Sequence, residues 1–286
     1  MGALHGANMH RLAVAAAVAA FTSPYFISAA SAADLPMKAP AYKAPIALTS
    51  SWTGFYVGIN AGGAWGDRSV DFAPNDLTAA GFTGPLPSVS FTSSGVIGGV
   101  QLGYNWQFNS NWLIGIETDF DGAGIKGSST SSINGGLAFT STVDEHVKWL
   151  GTVRGRLGYL PTGNLLAYVT GGFAYGSVEH TGSFSNPSGI TIIALGNPSV
   201  VCAANSTCFA GSSSGVATGW TLGGGLEYAL WRNLTLRGEY LYVSLDSKSV
   251  TETAVAFLAG TAPASFNASY NRTNINIARI GLSYRF

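Results

Sequence analysis

The sequence predicts an all-β fold, an eight-stranded antiparallel up-and-down transmembrane β-barrel, and three observations predict it. Apolar or aromatic residues alternate with small or polar ones through eight segments, at 52–66, 94–108, 111–125, 146–160, 164–179, 215–230, 232–246 and 272–286. A period of two marks an extended strand with one apolar face. The connections alternate in length: Asn109-Ser110, Pro161-Thr162-Gly163 and Trp231 are tight turns, whereas 67–93, 126–145, 180–214 and 247–271 are long and rich in Ser, Thr, Gly and Asn. An even strand number, with short turns at one end and long loops at the other, is how a barrel crosses a membrane. Charge is also scarce, 10% of residues against 47% apolar, too little for an ordinary water-exposed surface.

Taken in chain order, the first segment is a processing signal. His10-Arg11 precedes the apolar run LAVAAAVAAF at 12–21, and small residues follow, with Ala30, Ser31 and Ala32 fitting a cleavage site. The apolar core is too short for a spanning helix, so residues 1–32 are expected to be a removed signal peptide. Residues 33–51, with LPMKAPAYKAP at 35–45, lack periodicity and read as an extended Pro/Ala-rich linker. The barrel is then expected over 52–286, with both of its ends on the short-turn, periplasmic side. With 14 basic and 14 acidic residues, nothing in the charge balance favours nucleic acid as a partner.

Parity separates lipid from lumen. The second strand sets Val96, Val100, Leu102, Tyr104 and Trp106 against Gln101, Asn105 and Gln107, and the third sets Trp112, Ile114, Ile116 and Phe120 against Glu117 and Asp119. The fourth sets Trp149, Val153, Leu157 and Tyr159 against Lys148, Thr152, Arg154 and Arg156. The sixth opposes Leu222 and Leu226 to Glu227, and the seventh opposes Leu234 and Leu236 to Arg237 and Glu239. An arginine on the lipid face near the midplane costs about 2–4 kcal/mol. Exposing Arg154, Arg156, Arg237 and Arg279 together would cost on the order of 10 kcal/mol, comparable with a whole domain's stability. The charges are therefore expected inside, where Glu117, Asp119, Glu227 and Glu239 can meet Arg154, Arg156, Arg237, Arg279 and Arg285 in a lumen ion network. Aromatics gather near both strand ends, as in interfacial girdles. The alternation breaks at Ile275–Ala278 and at Leu241 and Val243, where bulges or strand ends above the bilayer are expected.

No catalytic site is predicted. A metal centre needs three or four convergent ligands, and none is spaced for one; beyond the signal the chain holds only His146 and His180, both in or beside long loops. His146 with Asp144 and Glu145 reads as a solvated charge run, and the Glu117/Asp119 pair as part of the ion network. Cys202 and Cys208, in CAANSTC, are expected to form a local disulfide that shapes an exposed loop. Eight strands enclose a lumen only wide enough for side chains, so the network is expected to plug it.

WTGFYVGINAGGAWG (52–66), GGVQLGYNWQF (98–108), VRGRLGYL (153–160), LRGEYLYVSLD (236–246) and ARIGLSYRF (278–286) resemble the alphaproteobacterial outer-membrane β-barrel proteins of the porin family, similar in plan to the OmpA membrane domain. The resemblance covers nearly all of the mature chain. It implies the outer membrane of a Gram-negative bacterium and contact with outer-membrane lipid and the barrel-assembly machinery. It further implies an insertion signal formed by Ile280, Leu282, Tyr284 and Phe286. The expected function is structural, in envelope integrity and surface interaction, with no cofactor. A narrow diffusion pore, and haem or host-surface binding through the extracellular loops, are the alternatives, and an extracellular loop ligand is left open.

Overall fold

The structure, a computed structural model, describes residues 51–83, 88–134 and 138–286. The expected signal peptide and nearly all of the expected linker lie outside the described residues. The elements are β1 (Gly54–Pro74), α1 (Leu77–Thr83), β2 (Val89–Gln107), β3 (Trp112–Asn134), β4 (Ala138–Thr162), β5 (Leu165–Asn186), β6 (Ile192–Ala194), β7 (Val200–Cys202), β8 (Ser206–Ala229), β9 (Leu234–Leu245), β10 (Lys248–Ala254), β11 (Ser265–Tyr270) and β12 (Thr273–Arg285). Antiparallel pairing runs β1-β2-β3-β4-β5-β8-β9-β12 and returns to β1, closing eight strands into a ring. The last strand meets the first over Tyr56↔Arg285 to Trp65↔Asn276, so neither is left as an edge.

The short turns fall where the sequence puts them. Between β2 and β3 the Asn109 side-chain oxygen accepts from the backbone N–H groups of Asn111 and Trp112, at 2.9 and 2.7 Å, an Asx turn that reverses the chain.

The long loops are largely not loops. β3 and β4 stay paired from Trp112↔Tyr159 up to Asn134↔Ala138, and β5 and β8 as far as Asn186↔Ser206. Above β9 and β12 the wall is continued by β10 and β11, which join β8 to β1. The Ser/Thr-rich segments lack the aromatic contrast of a membrane strand, yet β-branched threonine suits extended chain. The barrel therefore stands well above its apolar band.

The outer face of that band is apolar and solvent-accessible, as with Leu102, Val169, Leu222 and Ile280, while Glu117, Arg154, Arg237 and Arg279 are buried inside. The predicted parity holds with one exception. A bulge between Val147 and Trp149 turns Lys148 outward, where it pairs with Glu179 at 2.8 Å. The extra residue shifts the alternation by one, which parity alone does not reveal. The expected breaks at Leu241, Val243, Ile275 and Ile277 are not breaks. These side chains face inward, 0% exposed, and belong to an apolar layer with Ala64, Ile97, Ile125, Leu150 and Leu245.

Val169 lies on the outer face of β5 and is exposed. Val169→Arg is expected to lower stability by about 2–4 kcal/mol, whereas Ser90→Arg, on the wall above the apolar band, changes it by less than about 0.5 kcal/mol. Urea unfolding in lipid vesicles, followed by tryptophan fluorescence, checks both.

Candidate functional site in the barrel lumen

Because β3, β4, β8, β9 and β12 share one ring, their inward residues converge. The register sets Glu117 opposite Arg154, Glu227 opposite Arg237 and Glu239 opposite Arg279, so charges of opposite sign face each other on neighbouring strands. Arg154 joins Asp119 at 2.7 Å, Glu239 at 3.0 Å and also Glu117. Arg279 joins Asp119 at 2.6 Å, Asp121 at 2.7 Å and Glu239 at 2.7 Å. Arg156 reaches Glu227 at 2.9 Å and stacks over the Tyr168 ring at 4.1 Å. Arg237 passes over its neighbour Glu227 and crosses the lumen to Glu117 at 2.7 Å.

Two tyrosines complete the cluster. Tyr168 donates to Glu239 at 2.9 Å; Tyr56 accepts from Arg156 at 2.8 Å and donates to Glu117. Tyr56, Tyr168 and Asp121 were not among the predicted members, although Asp121 continues the parity of Glu117 and Asp119. Bidentate guanidiniums suit such a site, because each can satisfy several carboxylates while remaining charged.

Arg285 does not stand among the central carboxylates as expected. It lies at the short-turn mouth, donating to the carbonyls of Ser51 and Arg232 at 3.2 and 3.0 Å and stacking over Trp52 at 4.3 Å. Trp52 is buried and packs with Leu113, Leu160, Leu166, Tyr168 and Ala229, and its indole N–H donates to Gly163 O at 3.1 Å.

Above the apolar layer of Leu241 and Ile277 lies a second polar set. Arg68 pairs with Glu145 at 2.6 Å, and His180 Nδ1 approaches the same carboxylate at 3.6 Å while its ring packs on Tyr270 at 4.2 Å. His180 is thus a lumen residue, not a loop residue. Burial holds it below its ordinary pKa, against the opposing pull of Glu145. His146 faces the other side of the sheet, its neighbour Glu145 alone pointing inward, so the two histidines do not converge on one ligand. Cys202 and Cys208 are joined, but not on an exposed surface as expected. Both are buried with Phe184, Phe209 and Phe266, because β7, paired with β6, packs against side chains of β5, β8 and β11.

Apolar outside, charged within and closed by its own first and last strands, the chain is an integral membrane β-barrel. The family model for the outer membrane protein beta-barrel domain matches residues 14–286, and the chain belongs to that family. A 31 kDa outer-membrane immunogenic protein of Brucella melitensis biotype 1 is 35% identical over 269 residues, covering 91% of this chain and 95% of the relative. A 22 kDa outer membrane protein of Rhizobium leguminosarum bv. viciae is 31% identical over 220 residues, covering 77% of each. Among solved structures, OprG from Pseudomonas aeruginosa aligns with a TM-score of 0.43 at 13% identity, covering 82% of this chain and 97% of that one.

Proposed function

We propose that this outer-membrane protein is a non-catalytic structural component of the envelope, with a lumen closed to diffusion and a tall extracellular wall that presents surface to the outside. The observation that carries the proposal is layering. The central arginines, each no more than 4% exposed and each shared among carboxylates, lie between the apolar layer of Leu241, Val243 and Ile277 and the Trp52 cluster at the mouth. A hydrated ion passing through would have to displace paired charges and then apolar side chains. The separation of His146 from His180 supports the absence of a catalytic or haem-iron pair. The relative in Brucella melitensis is named as immunogenic, in keeping with a wall that rises beyond the membrane. In this reading the chain ends are periplasmic, residues 1–32 are removed and 33–51 form a periplasmic lead. The barrel-assembly machinery reads Ile280, Leu282, Tyr284 and Phe286, all on the outer face of β12 or just beyond it.

Planar-bilayer recording tests the closed lumen. Wild-type protein is expected to give no stepwise conductance, and Trp52→Ala combined with Leu241→Gly and Ile277→Gly to give small, flickering steps. Steady ion-selective steps in the wild type, lost in Arg154→Met and Arg156→Met variants, would establish a conduit and overturn the proposal.

A further inference from the structure

Glu252, on β10, is completely buried, and neither carboxylate oxygen has a hydrogen-bond partner. It sits in a notch made by Gly182, where any Cβ would collide with its Oε1. Apolar side chains lie on both sides: Val250, Ala268 and Tyr270 in one cluster, Phe184, Phe209 and Phe266 in the other. A buried polar group of this kind needs an explanation.

Its position supplies one. β8 pairs with β9 up to Gly219↔Leu245 and with β10 only at Thr253↔Ala210 and Ala254↔Phe209. Between these points, Gly211–Thr218 faces Asp246–Glu252 without ladder pairing among the described residues. The seam is tied at its lower end by Asp246 N donating to Thr218 O at 2.8 Å. At its upper end the chains approach so closely that a Cβ on Gly211 would strike Thr251 O and Glu252 Cα. The seam begins just above Trp220 and Tyr242, an aromatic pair 5.5 Å apart on the outer wall.

We propose that Glu252 and the β8–β10 seam form a proton-operated latch: the neutral carboxyl seats against Gly182 and holds the upper seam shut, and loss of its proton to water releases β10 from β8. The charged or titratable groups of the neighbouring elements gather around His180 of β5 and Tyr270 of β11: Glu145 and Asp144 from β4, Arg68 from β1 and Lys248 from β10, while burial is what acts on Glu252 itself. From β8, the stretch Gly211–Thr218 contributes none. Tyr270 lies near enough for its hydroxyl to feel a charge on Glu252, and the Lys248 ammonium lies 3.5 Å from where a Cβ of Gly215 would stand.

Burial pushes the Glu252 carboxyl from 4.5 up to about 8. The closed state therefore binds the proton more tightly than an opened state, in which the carboxyl is ordinary. Closure is fully favoured below the ordinary value, weakens as pH rises, and changes no further once pH passes the closed-state value.

Hydrogen exchange on the full protein, purified from membranes into detergent, tests the latch. Amide protection in Gly211–Thr218 and Lys248–Ala254, corrected for the intrinsic pH dependence of exchange, is expected to fall about tenfold per pH unit between pH 5 and 7 and to level off above pH 8. In Glu252→Gln the same segments are expected to show flat protection, with Glu252→Met as the alternative variant if the amide does not fold. A flat profile in the wild type, or an undiminished slope in the variant that folds, overturns the proposal.

Discussion

Replacing Arg154 with methionine is expected to destabilise the barrel by about 3–5 kcal/mol, because it leaves buried carboxylates without their shared counter-charge. Arg154 is the member joined to Glu117, Asp119 and Glu239 at once. Methionine fills much of the volume and isolates the charge effect from a packing defect. Arg154→Lys keeps the charge but can satisfy fewer carboxylate oxygens, so a smaller loss is expected. The double variant Arg154→Met, Glu239→Gln is expected to lose less than its two single variants added together, since each removes the other's stranded partner. Urea unfolding in vesicles measures the four variants against the wild type. An Arg154→Met barrel as stable as the wild type would show that the network contributes order to the lumen without contributing stability.

How much of this was legible beforehand depended on contrast between the two faces of each strand. Where one face carries Leu and Tyr and the other Arg and Glu, as at Leu236 to Tyr240, parity alone placed every side chain correctly. From Leu241 to Leu245 and from Ile275 to Ile277 the inward residues are aliphatic and the alternate positions include Ser244 and Asn276, so the alternation keeps its period but no longer marks the polar side as the lumen. Residues that form the layer above the ions then looked like irregularities. Lys148 was misplaced because an inserted residue reverses parity without any Gly or Pro to announce it locally. The upper wall was missed for a related reason: its outward residues are Ser, Thr and Asn facing water, a composition shared by loops and by strands beyond a bilayer. Within the network, Glu117 with Arg154 and Glu239 with Arg279 follow once the register is known. Arg237 reaching Glu117 does not, since that contact crosses the lumen and exists only because β1 and β12 close the ring. Arg285 was assigned to the correct face but the wrong level, and its stack on Trp52 depends on how the chain enters the mouth.

Removing Phe286 should separate assembly from stability. The residue is 74% exposed and its ring meets Tyr284 edge-on at 5.3 Å, while its backbone N–H donates to Phe55 O at 3.0 Å. Deleting it removes one terminal hydrogen bond and no lumen contact, so the refolded barrel is expected to lose about 1 kcal/mol or less. If the assembly machinery recognises the outward row of Ile280, Leu282, Tyr284 and Phe286, an aromatic anchor worth about 2 kcal/mol of binding corresponds to roughly a thirtyfold drop in recognition. The expected result is a large loss of protein from the outer-membrane fraction in cells, with nearly unchanged urea unfolding of the same variant refolded from denaturant. Phe286→Tyr keeps the ring and is expected to restore most of the accumulation, whereas Phe286→Ser is not. Equal accumulation of the deletion and the wild type would remove the assigned role from Phe286. A matching loss in both assays would make it a structural residue that holds the closing strand.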